Sequence, residues 1–180
     1  MLKSIILFFR KKNIRKNTQN ARLMRFPDFD KFPIITLFID DNQKKDIKAM
    51  EHLLKESLKP RNIRFIVLTE SVKDDFLQSE YMVFIEEKDF NKLGLLKKEK
   101  QDTINMFADD MLINLSDNNE NLLNDYLVSC LRSPFKVGHS DVNMKIHDLV
   151  LDYGIEKNDV QRLKILNRYL MMLSGNKHED

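Results

Sequence analysis

Short runs of consecutive apolar, largely β-branched residues recur along this chain, separated by stretches with helical periodicity. That alternation is what most limits the folds open to it. Residues 33–39 (PIITLFI) form the first run, residues 63–68 (IRFIVL) the second and residues 81–85 (YMVFI) the third. Residues 111–115 (MLINL) form the fourth, residues 135–138 a short fifth and residues 146–151 a sixth. Continuous apolar runs suit strands covered on both faces, whereas a half-solvated strand alternates. Between them, Ile47, Met50, Leu53, Leu54 and Leu58 repeat at helical spacing and stop at Pro60. Leu122, Leu123, Tyr126, Leu127, Cys130 and Leu131 mark a second helical face, and Val160, Leu163, Leu166, Leu170 and Leu173 a third. Residues 103–107 suggest one more short helix.

Strands joined by helices require crossover connections, which make neighbouring strands parallel. The expected fold is therefore α/β: a doubly wound, mostly parallel sheet in a Rossmann-like three-layer sandwich. The 180 residues are enough for one such core. Hydrophobic residues at 42% beside charged residues at 32% exclude the disordered class. Residues 28–180 are read as that single domain, and residues 1–27 as a basic helical arm.

Residues 1–27 carry eight bases and no acid, while the rest carries 22 bases against 28 acids. A basic arm thus joins an acidic body. On a helical projection Leu2, Ile5, Ile6 and Phe9 share a stripe, with Phe8 beside it; Leu7 and Ile14 fall among the bases. Such an arm can pack on the body, or give weak contact with an anionic membrane. Nucleic acid is disfavoured, because neither interleaved aromatics nor glycine turns follow the bases. The apolar run Ile5–Phe9 is too short for a signal-peptide core or a bilayer span. A single cysteine, Cys130, excludes an intrachain disulfide and favours a reducing, cytoplasmic setting. On its apolar helical face it reads as core.

In open parallel sheets, ligands bind beyond the carboxyl ends of the strands, where strand order reverses. The crevice candidates are Asp40, Asp41, Glu86, Ser116, Asp117 and His139, with Thr69 and Glu87 nearby. Plainer roles are available to most. Asp41 and Asp117 suit helix caps, Asp117 with Glu120 in capping-box spacing. Glu86 and Glu87 suit solvated loop charges, and His139 an exposed loop. The first strand–helix turn lacks glycine, so no dinucleotide fingerprint is present and no cofactor is expected. The adjacent His139, Ser140 and Asp141 cannot easily converge as a triad. The four histidines show no metal-ligand spacing.

Residues 36–42 (TLFIDDN) resemble the first strand and acidic pair of response-regulator receiver domains, with Glu86 at the phospho-acceptor position. The Lys-Pro that follows the fifth receiver strand is absent. Residues 107–138, with FADDMLINLS and FKVG, followed by HDLVL at 147–151, resemble a family of small bacterial proteins of unknown function. That resemblance implies the same α/β strand pattern and no mechanism. The segment is also distantly similar to the N-terminal half of heptosyltransferase-type glycosyltransferases. This likeness implies a nucleotide or sugar-nucleotide half-site needing a partner or homodimer to complete it. The leading expectation is a non-catalytic binding or accessory protein, its partner a protein or a second copy.

Overall fold

The computed structural model describes residues 2–19, 23–70, 81–106, 108–139, 143, 145–156 and 158–175. Among these, six strands form one sheet: β1 (Ile34–Asp40), β2 (Asn62–Leu68), β3 (Met82–Ile85), β4 (Met111–Asn114), β5 (Phe135–His139) and β6 (Leu149–Leu151). Their order is β3-β2-β1-β4-β5-β6, and every pairing is parallel. This is the doubly wound order in which the sheet grows first one way from β1 and then the other. It also overturns the receiver likeness, because receivers place β3 next to β1. Here β2 lies between them, so Glu86 at the end of β3 is two strands away from Asp40.

Alternate side chains of each strand enter two separate cores. On one face Ile35, Leu37 and Ile39 of β1 pack with Met50 and Leu54 of α2 (Ile47–Ser57) and with Leu163, Leu166 and Leu170 of α5 (Asp159–Gly175). On the other, Phe38, Ile66 and Leu112 meet Ile104 of α3 (Lys98–Ile104), Tyr126 and Leu127 of α4 (Leu123–Cys130), and Ile14 of α1 (Leu2–Gln19). The result is the expected helix–sheet–helix sandwich. At about 25 cal/mol per Å² of apolar surface, each fully buried Leu, Ile or Phe contributes roughly 1.5–3 kcal/mol.

Several boundaries move. The sixth strand is shorter than expected, because Ile146 is a buried loop residue in the α4-side core. Helix α3 starts at Lys98 and ends where residues 103–107 suggest a beginning; Phe107 lies outside the described residues. Its first turns are charged, so no apolar period announces them. Asn158 accepts from the Gln161 amide at 3.1 Å and caps α5, as its position implies.

The basic helix α1 packs on α4 through only part of its apolar stripe: Ile6 and Phe9 are half-buried, while Leu2 and Ile5 are exposed. Arg10 and Ile14 are its buried residues. Arg10 donates through Nε to the Gly94 carbonyl at 3.1 Å and through Nη1 to the carbonyls of Asn121 and Glu120 at 3.1 and 3.4 Å. Three carbonyls at one point hold the guanidinium, and that orientation leaves Leu2 and Ile5 outside the contact. Asn17 adds a bond to the Ser129 hydroxyl at 3.1 Å. Gly94 sits under this contact with φ +71°, and a Cβ there would lie 2.6 Å from Ile6 Cγ2. Gly94→Ala is therefore expected to lower stability by about 1–2 kcal/mol from backbone strain alone. The check is a urea midpoint lowered at unchanged m-value.

Candidate functional site

The reversal of strand order falls between β1 and β4, so the crevice lies between their carboxyl ends. Four of the six expected site residues meet there. The Asp40 carboxylate leaves the end of β1 and crosses to the loop after β4. Its Oδ1 accepts from the Ser116 hydroxyl at 2.7 Å, and its Oδ2 from the amides of Asp117 and Asn118 at 2.9 and 3.2 Å. Burial pushes the Asp40 carboxyl up from its ordinary range, against the Ser116, Asp117 and Asn118 donors that hold it charged. In open α/β sheets the groups that line this crevice are the ones a ligand meets. Here they face the chain's own carboxylate.

Gln43 closes the crevice from the α2 side. Its Oε1 accepts from the Asp40 amide at 2.6 Å, and its Nε2 donates to the Leu115 carbonyl at 3.0 Å. From α5, Arg162 Nη1 reaches both Asp117 carboxylate oxygens at 3.0 and 3.1 Å, while its Nε donates to the Glu156 carbonyl at 2.9 Å. Asp117 is therefore an anchor for α5 and not the cap of α4. The expected capping box does not form: residues 120–122 make a separate 3₁₀ turn with Asn121 and Leu122 at φ 50° and 58°. Glu120 turns to Lys3. Left-handed backbone at two non-glycine residues displaces the start of the helix from Asp117.

His139 is buried, not an exposed loop residue. Its Nε2 lies 3.1 Å from the Ser116 carbonyl oxygen and 3.6 Å from Asp117 Oδ1. The imidazole thus addresses the carbonyl of Ser116 and not its hydroxyl. Ser116 itself is 0% exposed. A serine, a carboxylate and a histidine are close together, yet no proton relay runs from the hydroxyl to the ring, and no substrate reaches the oxygen in this state. Ser140 and Asp141 lie outside the described residues.

The other two candidates are elsewhere. Asp41 begins the 3₁₀ turn after β1 and pairs with Lys44 at 2.6 Å. Glu86 is buried, contrary to a solvated loop charge; it pairs with Lys88 at 2.8 Å, and its amide donates to Asp89. Glu87 is exposed, and the Thr69 amide bonds back to the Ile85 carbonyl.

Behind Ser116 lies a second polar layer that periodicity did not reveal. Asn114 donates to Asn124 Oδ1 at 2.8 Å and to His147 Nε2 at 3.2 Å, and Asn124 donates to the Ser116 carbonyl at 2.6 Å. His147 Nδ1 lies 3.1 Å from the Asn143 carbonyl. A ring that donates through Nδ1 and accepts at Nε2 is neutral. Burial accordingly depresses the His147 pKa to about 4. The one sequence signal for this layer was an asparagine inside an otherwise apolar strand. On the α4 side, burial raises the Cys130 thiol, in keeping with a core residue. Among the described residues no group of three or more His, Cys, Asp and Glu side chains is placed to hold a metal ion. Among them, too, no helix is long and apolar enough to cross a membrane.

The model of one protein family, described as a family of unknown function (DUF6913), matches residues 7–173. The chain belongs to DUF6913. The matched span contains all six strands and most of α1, so the basic helix is part of what the DUF6913 pattern covers. No curated protein and no solved structure matches the chain. The DUF6913 span also includes every residue of the Asp40 bridge and the Asn114–His147 layer.

Proposed function

We propose that this chain is a non-catalytic binding or accessory domain of the cytoplasm, in which the switch-point crevice is a closure and not an active site. One observation carries the reading. The groups that would receive a ligand at the β1/β4 gap, the Ser116 hydroxyl and the Asp117 and Asn118 amides, are engaged by Asp40 from within the same chain. Partners then bind elsewhere on the surface, whether a protein or a second copy.

A second reading is favoured by the sheet order, which is that of nucleotide-binding folds. In it, the chain is a glycosyltransferase-like half-domain that takes a nucleotide or sugar nucleotide once Asp40 moves aside. The two readings separate by thermal unfolding against nucleotides, sugar nucleotides, and Mg²⁺ with acyl phosphate analogues. A ligand at a hundredfold its dissociation constant adds about 2.7 kcal/mol, a rise of roughly 5–10 °C for a domain of this size. The expected result is no shift. A rise with one class of nucleotide establishes the second reading and overturns the first.

A further inference from the structure

Helix α1 is fastened to the body along one side only. Arg10 and Ile14 are buried, and Asn17 bonds to Ser129. At 100° per residue the opposite side carries Ile5, Phe8, Lys12 and Arg15, flanked by Lys11 and Lys16. Ile5 is 40% exposed and Phe8 62%, with Leu2 beside them at 64%. All four bases are exposed, and α1 contains no acid. The outward face is thus apolar in its first half and cationic in its second.

We propose that this face docks the protein onto the surface of an anionic phospholipid bilayer, with Ile5 and Phe8 at the headgroup–acyl boundary and Lys11, Lys12, Arg15 and Lys16 over the phosphates. Charge complementarity selects that occupant. Protein interfaces are depleted in lysine at their cores, and here three lysines lie on the same narrow face as the apolar pair. At a bilayer the lysine and arginine stems extend along the apolar surface while their charges stay in the headgroup layer. The helix is already formed and held by Arg10, so binding requires no folding step. This reading names a surface for the accessory role and makes no use of the crevice. Its failure leaves the closed-crevice reading intact, because the assay contains no nucleotide.

The test exploits the absence of tryptophan from the chain. Phe8→Trp places a single reporter on an exposed position. On vesicles of phosphatidylcholine with about 30% phosphatidylserine, its emission shifts to the blue and is quenched by brominated acyl chains. Neutral phosphatidylcholine vesicles leave it unchanged, and raising ionic strength to about 0.5 M abolishes binding. At about 1 kcal/mol per base near an anionic surface, Lys12→Gln with Arg15→Gln weakens partitioning roughly 30-fold. Both positions are exposed, so the thermal midpoint of that variant stays at the parent value. Equal binding to neutral vesicles, unaltered partitioning of the double variant, or an unchanged tryptophan spectrum overturns the proposal. So does preferential capture of a polyanion such as heparin, or self-association through the same residues without lipid binding.

Discussion

Asp40→Ala is expected to destabilise the fold by about 3 kcal/mol, since three donors lose a charged acceptor and each such bond contributes roughly 1.5–3 kcal/mol before resolvation. The Asp117 and Asn118 amides lie near the surface and recover water, which keeps the loss below the sum. In a domain of this size the change lowers Tm by roughly 6–12 °C. Asp40→Asn keeps an acceptor oxygen for the Asp117 and Asn118 amides and turns its NH2 toward the Ser116 hydroxyl, and falls between the parent and alanine. Ser116→Ala removes one of the three bonds and costs less. The two sites touch, so the double variant is less destabilised than the sum of the singles. Strict additivity by calorimetry would show that the bridge does not hold β1 to the loop after β4. The same variants sharpen the functional test. With the carboxylate removed, the loop amides face solvent, and an inorganic phosphate that stabilises Asp40→Ala but not the parent exposes a latent anion site.

The second large effect is with pH. His147 is neutral in the folded chain with a pKa of about 4, against an ordinary 6.5. Below 6.5 the unfolded chain takes up a proton that the native ring refuses, so stability falls as pH drops. The loss is complete near pH 4, and those 2.5 units correspond to about 3 kcal/mol. Buried carboxyls act with the opposite sign. The pKa values of Asp40, Asp109, Asp125 and Asp159 are all raised by burial, so in the window above their ordinary 3.8 the native chain gains protons as pH falls. Comparing the parent with His147→Gln isolates the histidine, since both carry the same carboxyls. The stability difference between them is expected to shrink or reverse between pH 6.5 and 4. A difference that is constant across that range shows that the ring takes up its proton at the same pH in the folded and unfolded chains.

The crevice reading and the membrane reading make separate demands on the chain. One concerns groups that are satisfied internally at the carboxyl ends of β1 and β4. The other concerns a helix face about which the body makes no demand. Both lie within the span that the DUF6913 pattern covers, apart from the first residues of α1.

The positions of β1, β2 and β4 and the faces of α2, α4 and α5 were legible in the sequence, because burial periodicity is a local property. The location of Asp40, Ser116, Asp117 and His139 at one end of the sheet was legible too, since each stands where an apolar run stops. What these residues do there was not. Asp40 and Ser116 are 76 positions apart, and Asp117 and Arg162 are 45 apart. Sequence spacing assigned Asp117 to the nearest helix, whereas the fold delivers a guanidinium from a distant one. The docked face of α1 was hidden for the same reason: an arginine counts as solvent-facing until three carbonyls from two other segments converge on it. Local pattern marks which apolar side chains are covered, because the strand and helix periods are local. Only tertiary structure decides with whom a covered polar group pairs, because a hydrogen bond depends on ångström-scale placement of atoms that the chain brings together from far apart.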